Sequence, residues 1–113
     1  MGAEVLLFPT AIGSEPGCAE LDSRDHWQIA MRGHAAANLL PVVAANRVGE
    51  AVAASDVSLS MRFYGSSFIC DHKGAMLSEA DRDNTASACT TWPPPANYSR
   101  PYARTCASSS RSR

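Results

Sequence analysis

A chain of 113 residues with 45% apolar side chains has room for one domain, or for part of a larger one. The formal net charge of −1 is divided: residues 1–84 hold all eleven acidic and six basic side chains, and residues 85–113 hold four arginines and no acid. Four spaced arginines are too thin a footprint for a nucleic-acid reader, and no apolar run reaches membrane-spanning length, so neither nucleic acid nor a membrane is an expected partner.

In chain order, Val5–Phe8 is a continuous apolar run that ends at Pro9, the pattern of a strand buried on both faces. A polar loop with Gly13, Pro16 and Gly17 follows. Ser23 is a good N-cap, and Asp25 falls in the first helical turn, where the helix dipole favours an anion. Trp27, Ala30, Met31, His34, Ala35 and Asn38 recur at helical spacing, which predicts a helix from about Arg24 to Asn38, ended before Pro41. Its alanines point to close packing. Val42–Ala45 reads as a second strand, parallel to the first because a helix joins them. Strand, loop, helix, strand is α/β grammar, and ligands of such folds sit beyond the carboxyl ends of the strands.

Glu50–Ser60 has no clear period and is expected to be a loop. Met61–Ile69 reads as one strand with a bulge at Gly65, and Ala75–Ala80 as its hairpin partner across the turn Asp71–Gly74. After Asp83 the pattern is lost. From Thr85 to Arg113 there is no Val, Leu, Ile, Met or Phe, and four of the seven prolines lie there. Such a tail buries too little apolar surface to offset its ordering entropy. The expected division is an ordered part over 1–84 and a disordered tail over 85–113.

Chemistry carried by single residues is sparse. Cys18, Cys70, Cys89 and Cys106 are all at least seventeen positions apart, so no C-x-x-C metal or redox motif exists. Without a signal-like N-terminus, reduced thiols in the cytoplasm are the default. Cys18 and Cys70 have no sequence-local base, so both read as structural thiols. Cys70-x-His72 supplies at most two metal ligands, and no metal or cofactor is expected. His26, with Asp22 and Ser23, invites a hydrolase reading, but Ser23 is better used as a cap and no G-x-S-x-G elbow is present. The pairs Glu15 with Glu20 and Asp22 with Asp25 are candidate acid/base groups, read as solvated loop carboxylates. Asn46 and Arg47, at a strand end, read as buried hydrogen-bonding groups in a structural role.

Longer strings narrow the reading. Gly2-Ala3-Glu4-Val5-Leu6-Leu7-Phe8-Pro9-Thr10-Ala11-Ile12-Gly13-Ser14-Glu15-Pro16 resembles the nitrilase superfamily of carbon–nitrogen hydrolases, in its N-carbamoylputrescine amidase branch. Leu21-Asp22-Ser23-Arg24-Asp25-His26-Trp27, Met31-x-Gly33-His34-Ala35-Ala36-Ala37-Asn38 and Ala44-Ala45-Asn46-Arg47-Val48-Gly49 continue the match in order. Phe63-Tyr64-Gly65-x-Ser67-Phe68-Ile69 and Lys73-Gly74 extend it to about Asp83. The resemblance implies an α/β fold, part of a nitrilase-type α-β-β-α sandwich, with an irregular C-terminal tail. It implies a Glu-Lys-Cys triad that hydrolyses N-carbamoylputrescine, a carbamoyl-amine substrate, to putrescine, ammonia and carbon dioxide in polyamine synthesis. It also implies homo-oligomers. All three triad residues are expected upstream of Gly2, and neither Cys18 nor Cys70 matches the nucleophile's motif. The chain alone is therefore expected to be inactive. Thr10, Ala11, Ile12, His26 and Trp27 are the pocket walls the resemblance implies. Ser87–Arg113 departs from the family and has the composition of a frameshifted reading. Two other readings stand beside this one: a non-catalytic interaction module, and a product that does not fold.

Overall fold

The computed structural model describes residues 2–18, 20–54, 56–92 and 103–108. Eight strands and one helix follow in the order β1 (Leu6–Thr10), α1 (Arg24–Asn38), β2 (Val42–Asn46), β3 (Val48–Ala53), β4 (Asp56–Tyr64), β5 (Phe68–Cys70), β6 (Met76–Glu79), β7 (Ser87–Trp92) and β8 (Ala103–Ser108). A four-stranded sheet has the order β1-β2-β5-β6, and two separate strand pairs are β3-β4 and β7-β8.

The expected strand–helix–strand unit is present. β1 and β2 run parallel, with Leu6 opposite Val42 and Thr10 opposite Asn46. α1 spans the residues its spacing predicts and stops at Leu39, which takes a left-handed conformation (φ 53°) and donates its N–H to the Ala35 carbonyl. Ser23 occupies the N-cap position but makes no side-chain capping bond. The Asp22 carboxylate instead accepts the Arg24 N–H at 3.1 Å. Of the helix alanines only Ala35 is buried; Ala30, Ala36 and Ala37 face solvent.

The helix covers one face of the sheet. Trp27 and Ala35 pack there with Val42, Ala44, Phe68 and Cys70, and Leu6, Phe8, Ile12, Met31 and Met76 fill in at the margin. Trp27 meets Phe68 edge-on, with ring centroids 5.5 Å apart. Phe8 stacks with His34 at 5.9 Å. The alternate residues of the central strands point the other way, where Val43 and Ile69 pack with Ala88 of β7. Period-2 alternation thus gives the sheet two apolar faces.

Four expectations are corrected. β1 is not buried on both faces: it is an edge strand with alternating exposure, and Leu7 is 64% exposed. An edge is also where a strand tolerates Pro9, which has no N–H to donate. Glu50–Ser60 is not a loop but most of the β3–β4 antiparallel pair, in which Val48 lies opposite Tyr64 and Ala51 opposite Met61. That ribbon gains its order from cross-strand pairing, which a search for one-chain periodicity does not register. Met61–Ile69 is two strands in different sheets. The chain turns between them at Gly65 (φ 54°) and Ser66 (φ 53°), so Gly65 marks a corner rather than a bulge. A β-carbon on Gly65 would lie 2.4 Å from the Arg82 carbonyl oxygen, a contact only glycine avoids.

The hairpin of β5 with β6 is as expected, with Ile69 opposite Ser78. Beyond Asp83, regular structure returns: Ser87–Trp92 pairs antiparallel with Ala103–Ser108. Trp92 ends a strand at the point where Pro93 begins a segment outside the described residues. This fourth correction has a plain cause: a strand ladder uses backbone groups and accepts the small side chains of Ser87, Ala88 and Thr90. The register of that pair sets residue 89 opposite residue 106. Cys89 is disulfide-bonded, whereas Cys18 and Cys70 are free, so reduced thiols are not uniform along the chain.

Candidate functional site

The carboxyl end of β1 is organised by one side chain. Asn46, at the end of the neighbouring strand, is 2% exposed. Its Oδ1 accepts the Ile12 N–H at 2.7 Å and the Thr10 hydroxyl at 3.1 Å. Its Nδ2 donates to the Ile12 carbonyl at 3.0 Å and to the Gly65 carbonyl at 2.9 Å. A primary amide offers two donors and about two acceptor sites, so the Asn46 side chain is saturated. It ties the loop after β1 to the corner between β4 and β5. The Asn46 backbone N–H is taken by the Ser67 hydroxyl at 2.9 Å.

The same loop then joins the β3–β4 pair. Tyr64 donates its N–H to Ile12 at 3.0 Å and Ser14 donates to Arg62 at 2.9 Å. Gly13 is buried at this crossing, and a β-carbon there would sit 2.5 Å from the Arg62 carbonyl oxygen. The Tyr64 hydroxyl donates to the Leu21 carbonyl at 3.0 Å and accepts the Ser23 N–H at 3.2 Å. Residues 10–14 and 21–23 are thereby fastened to one side of the helix–sheet unit.

A second polar group fixes the start of α1. Arg24 Nε donates to the Ser66 hydroxyl at 3.0 Å, and its guanidinium also pairs with Asp25 and Glu79. Gln28 Nε2 donates to the same Glu79 oxygen at 2.8 Å. These contacts hold the first two turns of the helix against β6.

The five residues expected to wall a pocket are placed unequally. Thr10 and Ile12 are held by Asn46, and Ala11 between them is exposed. Ile12 also packs against the core cluster to which Trp27 belongs. Trp27 is a core residue, 7% exposed, and its Nε1 has no hydrogen-bond partner among the described residues. His26 faces solvent on the helix.

The other candidates resolve into structural parts. Asn46 is the buried hydrogen-bonding group expected, and the Arg47 guanidinium lies 4.2 Å over the Phe63 ring. Asp22 pairs with Arg82 at 2.8 Å; this bond to Arg82 comes first among the contacts that hold its carboxyl below the usual range. Asp25 pairs with Arg24. Cys18 is an exposed thiol beside a tight turn, with its N–H bonded to the Glu15 carbonyl. Cys70 is buried, and burial pushes its thiol pKa up. A thiol kept protonated is a poor nucleophile and a poor metal ligand. Among the described residues, no three His, Cys, Asp or Glu side chains come close enough to hold a metal ion. No described helix is long and apolar enough to cross a membrane.

Sequence reasoning did not single out Arg62, Arg82 and Asp83 as a site. They line a cleft with Asp22, Phe63 and Tyr64, and no local signal joins positions 22, 62 and 82.

A strand–loop–helix–strand unit with its loop bonded across the strand ends is an α/β arrangement, and comparison with known proteins specifies its family. The carbon–nitrogen hydrolase family model matches residues 1–91. The chain belongs to that family. It is 59% identical over 81 residues to a citrullinase of Francisella tularensis subsp. tularensis, covering 72% of this chain and 27% of that protein. It is 50% identical over 86 residues to an N-carbamoylputrescine amidase of Arabidopsis thaliana, covering 75% of this chain and 29% of that protein. The crystal structure of a carbon–nitrogen hydrolase from Helicobacter pylori G27 superimposes with a TM-score of 0.65 at 28% identity, over 94% of this chain and 32% of that one. The chain thus spans less than a third of the relatives it matches. The family match runs past residue 84, through most of β7.

Proposed function

We propose that residues 2–83 form a pocket-wall segment of an enzyme that hydrolyses N-carbamoyl amines, with N-carbamoylputrescine as substrate. The reaction adds water and yields putrescine, ammonia and carbon dioxide, a step of polyamine synthesis. The nucleophilic Cys, the proton-moving Glu and the oxyanion-holding Lys come from chain outside residues 1–113. Homo-oligomers and a cytoplasmic location belong to the same reading. The observation that carries it is the location of the Pro9–Pro16 string. It leaves the carboxyl end of β1, where α/β folds bind ligands, and Asn46 holds it there.

The two free thiols do not replace the missing nucleophile. Neither Cys18 nor Cys70 matches the nucleophile's motif, and burial raises the Cys70 thiol pKa and keeps it protonated. The purified 113-residue protein is therefore expected to release no ammonia from N-carbamoylputrescine. Release above the blank that persists in Cys18→Ala overturns the reading; release lost in Cys18→Ala overturns it too, by assigning Cys18 as nucleophile.

One observation favours a second substrate. The citrullinase is 59% identical over the matched stretch, against 50% for the plant amidase. Citrulline and N-carbamoylputrescine share a ureido group and a terminal amine, and differ by one carboxylate. Ammonia release from each, by an enzyme in which the upstream family segment completes residues 2–83, separates the two.

A further inference from the structure

We propose that Cys89 is joined to Cys106, and that this disulfide is a redox latch holding the β7–β8 ribbon over the second apolar face of the sheet. The inference concerns residues outside the proposed pocket wall and does not depend on the hydrolase reading. Cys89 is disulfide-bonded, while Cys18 and Cys70 are free thiols. Cys106 is the one cysteine left in the chain. The ladder sets residue 89 directly opposite residue 106. Residues so placed in an antiparallel pair lie about 4.5–5.5 Å apart at Cα, within the span of a disulfide.

The ribbon has little else to hold it. It shares no ladder with the four-stranded sheet. It lies across that sheet, with β8 against β2 and β7 against β5 and β6. The apolar contact is thin: Ala88 packs on Val43 and Ile69. Residues 85–113 contain no Val, Leu, Ile, Met or Phe, so the tail has no larger aliphatic side chain to add. A two-stranded ribbon is marginal by itself. A disulfide closing a loop of about 17 residues favours the ordered form by roughly a hundredfold, because it restricts the open one. The latch, rather than the packing, therefore decides whether the ribbon stays.

Beneath the ribbon, Val43 and Ile69 are buried, and Val5 packs against them. Leu7, opposite Val43 on β1, belongs to the same face and is largely exposed. Cys89 is itself exposed, so a reductant reaches the bond, and exposed disulfides are the readily reduced class. A dithiol attacks one sulfur as its thiolate, forms a mixed disulfide and then closes to its own disulfide. Two electrons and two protons pass to the protein, leaving thiols at Cys89 and Cys106. The ribbon can then lift and uncover the face. The latch is open in a reducing compartment and shut in an oxidising one.

The 113-residue protein is oxidised in air and compared before and after treatment with dithiothreitol. Non-reducing peptide mapping of the oxidised monomer is expected to link Cys89 to Cys106. Hydrogen exchange is expected to show the bonded amides of β7 opening roughly a hundredfold more readily after reduction, while those of α1 and β2 keep their protection. Fluorescence of anilinonaphthalene sulfonate, a probe of exposed apolar surface, is expected to rise as Val43 and Ile69 are uncovered. Cys89→Ser is expected to reproduce the reduced protein without dithiothreitol, and Cys18→Ser to behave as wild type. Cys89 found unlinked, or linked to Cys18 or to a second chain, overturns the proposal. So do β7 amides equally protected after reduction, and a loss of protection that extends through α1 and β2.

Discussion

Replacing Asn46 with leucine tests whether one amide organises the loop after β1. Leucine has the same branching and number of side-chain heavy atoms, so the change removes hydrogen bonds and leaves no cavity. Four bonds are lost. Two groups keep a partner: the Ile12 carbonyl still accepts the Tyr64 N–H, and the Thr10 hydroxyl still reaches the Ala45 carbonyl at 3.4 Å. The Ile12 N–H and the Gly65 carbonyl are orphaned in the protein. Each buried unsatisfied group costs about 1–3 kcal/mol, so Asn46→Leu should destabilise by roughly 2–6 kcal/mol. A domain of this size has only about 5–10 kcal/mol to lose. Urea unfolding followed by tryptophan fluorescence reads the change, because Trp27 lies in the core. Asn46→Asp sharpens the test. The new carboxylate keeps the acceptor role but faces two carbonyls, so burial and repulsion raise its folded pKa above the unfolded value of about 3.9. Its stability is then greatest below the unfolded pKa and is lost as pH rises through the folded one. An Asn46→Leu protein within about 0.5 kcal/mol of wild type would refute the hub argument, since that is the scatter of ordinary surface substitutions.

Three further outcomes are expected. Gly13→Ala places a methyl group 2.5 Å from the Arg62 carbonyl oxygen, so it should destabilise by about 1–3 kcal/mol in thermal melts. Gly33→Ala meets nothing within 4 Å in mid-helix and should stabilise by about 0.5–1 kcal/mol. In acid, three carboxylates act in one direction. The bond to Arg82 holds Asp22 below its ordinary pKa, and the Asn84 N–H does the same for Asp81. For Asp71, burial pushes upward but is outweighed by the N–H groups of Ala75 and Lys73. Folded values below unfolded ones mean stability that is present above the unfolded pKa of about 3.9 and lost as pH falls through the folded values. The melting temperature should therefore drop below that pH, and a flat profile from neutral to strongly acid pH would contradict it.

The sequence by itself determined what depends on near neighbours and on strings long enough to be distinctive. The span of α1 follows from apolar spacing, a cap position and Pro41. The parallel pairing of β1 with β2 follows from a helix that must join them, and the β5–β6 hairpin from the turn Asp71–Gly74. The family follows from two strings lying in order, Pro9–Pro16 and Leu21–Trp27. Tertiary structure decided what depends on partners distant in the chain. Ladder bonds made Glu50–Ser60 into a strand pair, although its side chains carry no period. Position at the sheet edge exposed Leu7, although its neighbours are apolar. Close packing drew Trp27 into the core while His26, its neighbour, stayed in solvent. Folding also brought Asp22, Arg62, Arg82 and Asp83 round one cleft, because charge pairing acts through space and leaves no spacing rule in the chain.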